Sequence, residues 1–142
     1  MTWLACLFLL FSEEKGTYLI QTGGQTVGEE VFRFEQMEDH LVCFSTLRWG
    51  DLHSDAVLTL SAADFHPLLY AVVHRRGKNE REVRLEWKGK KIRSEVKERG
   101  TEVVKEHEAS VGASWLDEQL LTHLILLLRR FQSGAHQVFS LV

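Results

Sequence analysis

Apolar and polar positions alternate with a period of two along most of the chain from Tyr18 to Glu108, broken by short turn signals, the pattern of half-buried β-strands. Val83, Leu85 and Trp87 stand between Glu82, Arg84 and Glu86, which predicts a strand with one dry and one wet face. Ile92, Ser94 and Val96 alternate likewise with Lys91, Arg93, Glu95 and Lys97, and the segment 101–108 follows with Val103 and Val104. With turns at Lys88-Gly89 and Arg99-Gly100, these three segments read as a meander whose outer face is charged. Upstream, segment 18–22 runs into Gly23-Gly24, a pair suited to a tight hairpin that needs positive φ. In segment 27–36, Phe32 and Phe34 fall on one face and Arg33 and Glu35 on the other. Segment 40–49 is apolar enough to be covered on much of both faces. Segment 56–60 sets Ala56, Leu58 and Leu60 opposite Val57 and Thr59. Pro67 then opens an apolar run through Val73, at a strand's first residue, where proline is tolerated.

The period changes at Ser114. Leu116, Leu120, Leu121, Leu124, Leu127, Leu128 and Phe131 recur at helical spacing. Ser114 with Asp117 resembles an N-cap and its acid, Arg129 and Arg130 suit the last turn, and Gly134 suits a stop. So leucine-rich a helix predicts cover on most sides. The expected fold is therefore mainly β (α+β): a curved antiparallel sheet or half-barrel of about eight strands with one long C-terminal helix on its concave face. The last five residues, Val138 to Val142, read as a further strand that invites pairing, in a chain truncated from a longer one, or as the ordinary last strand of a complete sheet.

At the other end, Trp3 to Phe11 is a nearly unbroken apolar run. It is too short to span a bilayer and suits the centre of an export signal, although no positive charge precedes it. Residues 1–12 are read as an abbreviated signal segment and 16–142 as one domain. The competing reading makes the run a first strand or short helix packed on the core. Export implies a periplasmic or secreted protein; the competing reading leaves it cytoplasmic.

Composition adds limits. The 44% hydrophobic and 26% charged content is that of a folded domain, and a net charge of −3 argues against nucleic-acid binding. Residues 75–99 carry eleven Lys or Arg against five Glu, a net of +6, which leaves −9 for the rest. Cross-strand ion pairs on a wet face are the simpler account of this mixture; contact with anionic headgroups or an acidic partner is the sharper one. Cys6 and Cys43 have no second ligand at metal spacing, and Cys43, in an apolar stretch, reads as a buried inert thiol.

Seven histidines include no H-E-x-x-H pair. His107 between Glu106 and Glu108 reads as solvated, since strand neighbours point to the opposite face. His123 interrupts the leucine stripe and reads as a satisfied core histidine. His66 and His74 flank the Pro67 strand within reach of a carboxylate such as Asp64. There is no G-x-S-x-G elbow, and Gly23-Gly24 with Gly28 opens no helix, so it reads as a turn rather than a phosphate loop.

Val27-Gly28-Glu29-Glu30, the meander through Arg99-Gly100-Thr101-Glu102 and the run from Leu116-Asp117 to Arg129-Arg130 resemble uncharacterised bacterial exported β-sheet proteins, over residues 16–142. More distantly the layout is similar to the half-barrels of lipoprotein-localisation carriers, a likeness of fold alone. The expected function is a non-catalytic envelope module, with no cofactor, metal or nucleic-acid partner, that binds a lipid or other hydrophobic ligand between sheet and helix. Phe32, Phe34, Tyr70, Trp87, Leu124 and Leu128 are the expected lining. The alternative is a structural or interaction domain, the accessory N-terminal part of a longer exported enzyme, pairing through its terminal strand. An enzyme ranks third and would need a cleft joining His66, His74 or His123 to a carboxylate.

Overall fold

A computed structural model describes residues 14–109, together with Ala113–Ser114 and Ser140–Leu141. Eight strands follow one another: β1 (Glu14–Thr22), β2 (Gln25–Gln36), β3 (His40–Trp49), β4 (Leu52–Ser61), β5 (Pro67–Arg76), β6 (Asn79–Lys88), β7 (Lys91–Glu98) and β8 (Thr101–Glu108). Each pairs antiparallel with the next, and the sheet order is the chain order, an open up-and-down sheet with β1 and β8 at its edges. A short parallel pair, β9 (Ala113–Ser114) with β10 (Ser140–Leu141), stands apart from it.

Two-residue turns make most of the connections. Gly23 and Gly24 take φ of 58° and 79°, and Arg99-Gly100 takes 51° and 78°, so both match the twist of a type I′ hairpin. The longer connection between β4 and β5 holds Phe65 at φ 55°, strained for a bulky residue. Its ring packs against the core, and its N–H donates to the Ser61 carbonyl at 2.9 Å, contacts that offset the strain.

Alternation places one set of side chains on a single core face. The register lines up Phe34, Cys43, Leu58, Tyr70 and Leu85 across β2 to β6, beside Phe32, Ser45, Ala56, Val72 and Val83. Most of these are buried, each large side chain contributing about 1.5–3 kcal/mol by burial. Tyr18 stacks on Phe32 with ring centroids 5.1 Å apart, and Phe32 meets Phe34 at 5.5 Å, which carries the core to the β1 edge. At the other edge every residue of β8 is exposed.

Strand identity and facing follow the sequence reading, but strand lengths do not. β1 begins at Glu14 and β4 spans Leu52–Ser61, further than the apolar pattern reached. In β4 the reason is Ser54. It is polar yet fully buried, and its Oγ lies 2.8 Å from His74 Nδ1 across the β4–β5 pair, so a hydrogen bond replaces the apolar side chain that the pattern required. The predicted helix lies outside the described residues from position 115 on, as do Leu124, Leu128, His123 and the apolar run at the N-terminus. Of the terminal segment 138–142, Ser140–Leu141 is described, as β10.

Candidate functional site

The three central strands are apolar on both faces. Opposite the core, Phe44 on β3, Val57 on β4 and Ala71 on β5 stand in one cross-strand row, with Val73 one pleat further along β5. All four are half-buried. They floor an open trough of about 800 Å³ that reaches from Arg33 on β2 to Glu95 and Lys97 on β7. Parallel rows of charge form its banks. The row of Phe44, Val57 and Ala71 ends in Arg33 on one side and Arg84 on the other. The guanidinium of Arg33 lies 4.3 Å from the Phe44 ring centroid and pairs with Glu35 at 2.9 Å. Arg84 has no ion pair among the described residues.

Asp55 is the hub of the polar bank. Thr46 Oγ1 donates to its Oδ1 at 3.0 Å, His53 Nε2 lies 3.2 Å from the same oxygen, and an Arg75 guanidinium nitrogen donates to Oδ2 at 2.8 Å. Arg75 also holds Glu80 at 2.9 Å. Partial burial pushes the Asp55 carboxyl up, but its hydrogen bonds to Thr46, Arg75 and His53 together outweigh that and hold it below the usual carboxylate range. On the far bank the Lys97 ammonium, 3.2 Å from Glu95, likewise holds that carboxyl low, and Glu95 raises Lys97 in return.

A group depressed on folding contributes stability that is present above its unfolded pKa and disappears as pH falls through its folded pKa. Asp55→Asn is therefore expected to lower stability at neutral pH by about 1 kcal/mol or less, because the carboxylate is half exposed. The difference from wild type should shrink below about pH 4. Urea unfolding at pH 7 and near pH 3 measures it, and equal differences at the two pH values would contradict the hub.

The expected aromatic lining lies on the other side of the sheet. Phe32, Phe34, Tyr70 and Trp87 are brought together on the core face, at most 8% exposed, and none of them lines the trough. Trp87 keeps its indole Nε1 without a hydrogen-bond partner. The residues that do floor the trough went unremarked as a site, although their signal was present in the two-sided apolarity of segment 40–49 and in the unbroken run after Pro67.

The other candidates resolve into structure. The backbone N–H of His66 donates to Asp64 Oδ1 at 3.1 Å, which closes the β4–β5 connection. His107 is exposed, with Nε2 3.3 Å from Ser94 Oγ. Glu30 is fully buried and accepts a 2.6 Å hydrogen bond from Ser45 Oγ. Ser54 and His74 have the contact of a nucleophile and its base, but the complete burial of Ser54 leaves no approach for a substrate. The Cys43 thiol is 2% exposed. Mixed charges on the β5–β8 meander pair across strands, as in Lys91 with Glu106 at 3.5 Å and Lys97 with Glu102 at 3.9 Å. Comparison with protein-family models, curated proteins and solved structures returned no match.

Proposed function

We propose that this chain is a non-catalytic binding module for a lipid or similar amphiphile, with the trough opposite the core as the seat of the ligand. The observation that carries the reading is the floor of Phe44, Val57, Ala71 and Val73, half-buried across the central strands in a space of about 800 Å³. Ligand sites of that size are mostly apolar, with few polar groups to orient the occupant. An alkyl chain laid on this floor buries apolar area, and an anionic head at the bank meets the guanidinium of Arg84, which no carboxylate pairs among the described residues. Envelope or secreted residence suits such a cargo and belongs to the same proposal.

The test is titration with a fluorescent long-chain fatty acid, backed by native mass spectrometry with organic extraction of protein purified gently from a bacterial host. Val57→Asp places a charge in the floor and is expected to weaken binding about tenfold or more. Ala71→Phe, which fills the trough without a charge, should do the same if the aspartate variant fails to fold. Unchanged affinity in a folded variant would sink the trough as the seat.

A second reading rests on β8. All of its residues are exposed, Val103 and Val104 by 44% and 48%, and its outer backbone groups form a sheet edge. An interaction module would add a partner's strand there. Lys105 at mid-strand is the kind of charge that discourages such pairing, which places this reading second.

A further inference from the structure

In an up-and-down sheet alternate turns share one end, so the tips after β3, β5 and β7 lie together. That end carries Arg76, Lys78, Arg81 and Arg99, all exposed. Arg76 reaches Asp51 at 3.5 Å, whereas Lys78, Arg81 and Arg99 have no ion pair among the described residues. Two carboxylates stand in the same corner, Glu98 and Glu82, and Glu80 is already held by Arg75. The balance of the corner is positive in a chain of net −3. Trp49, the last residue of β3, is 49% exposed at the same end. A recess of about 300 Å³ between the tips shares Glu82 and Lys97 with the trough, so the tips border the trough itself.

We propose that this end of the sheet docks on an anionic phospholipid surface, with Lys78, Arg81 and Arg99 against the headgroups and Trp49 in the interface. Charge complementarity argues for this occupant: cations left unpaired at protruding turns are drawn to the negative surface of a bilayer. Tryptophan is the side chain that favours the boundary between headgroup and hydrocarbon, being apolar in body and polar at one edge. Net charge alone would repel the chain from such a surface, so attachment has to come from a local cluster. Docking by the tips would bring the mouth of the trough to the membrane, where an amphiphile is exchanged.

The experiment is co-sedimentation of the full chain with vesicles of phosphatidylcholine alone, and of phosphatidylcholine with about a third phosphatidylglycerol. Selective partition onto the anionic vesicles is expected, weakened by added salt because the contact is electrostatic. The double variant Lys78→Gln/Arg99→Asn removes two cations while asparagine tolerates the left-handed backbone of position 99. It is expected to partition roughly 25-fold more weakly, about fivefold per cation. Its affinity for the fluorescent fatty acid should stay that of the wild type, whereas Val57→Asp should lose the fatty acid and keep the vesicles. Equal binding to both vesicles, no binding to either at low salt, or wild-type partition by the double variant would each overturn the proposal without touching the trough.

Discussion

Phe34→Ala is expected to lower the free energy of unfolding by about 3–5 kcal/mol, one of the two largest effects of a single substitution proposed for this chain. The side chain is 3% exposed on β2, tilted against Phe32 with centroids 5.5 Å apart, and set in the row that continues through Cys43, Leu58 and Tyr70. Truncation forfeits the burial of the ring, leaves a cavity that strands on both sides cannot collapse to fill, and removes an aromatic pair worth about 0.5–1.5 kcal/mol beyond its area. Urea unfolding followed by circular dichroism should show a lower midpoint with an unchanged slope. A loss below about 1 kcal/mol would mean that the ring borders empty space rather than filling a packed core. In that case the core-face aromatics return as candidate ligand lining. The same measurement therefore separates the two faces of the sheet as binding surfaces.

Gly28→Ala is expected to destabilise by about 1–3 kcal/mol, although it adds a single methyl group. Gly28 sits on β2 opposite Ile20 on one side and Trp49 on the other. A Cβ there would stand 2.6 Å from the Arg48 carbonyl oxygen and 3.1 Å from the Trp49 Cα. Both obstacles are backbone, so relief requires β2 and β3 to move apart rather than one rotamer to change. Gly16→Ala makes the control. Its nearest obstacle is the Phe32 ring at 2.6 Å, a side chain that can swing aside, so the milder loss is expected there. Thermal midpoints of the two variants check the order. Wild-type stability in Gly28→Ala would show that the close approach of β2 and β3 is not required. Gly28 thus has a steric role in the sheet, in keeping with its reading as part of no phosphate loop.

Much of the fold was legible because a β-strand writes its facing locally. Alternation in Val83, Leu85 and Trp87 identifies the core face of β6 whatever its neighbours are, and Gly23-Gly24 and Arg99-Gly100 announce hairpins through backbone preference alone. The candidate site was less legible. Phe32, Phe34, Tyr70 and Trp87 stood out as large aromatic residues in strong alternation, which is also the signature of a core. Phe44, Val57, Ala71 and Val73 did not stand out, since each belongs to a different stretch of chain and only the register of β3, β4 and β5 makes them neighbours.

The amino-acid sequence by itself determined the strands, most turns, the face each strand turns inward and the mixture of charge on the last meander. These depend on the two-residue period and on φ preferences, which operate within a few residues. Tertiary structure decided which apolar positions stay half-open in the trough, that Ser54 and Glu30 are buried with hydrogen-bond partners, and that Lys78, Arg81 and Arg99 gather at one corner without partners among the described residues while Lys91 and Lys97 find carboxylates. Those outcomes depend on the sum of registers across many strands, and a shift of one residue in any pair would redistribute them.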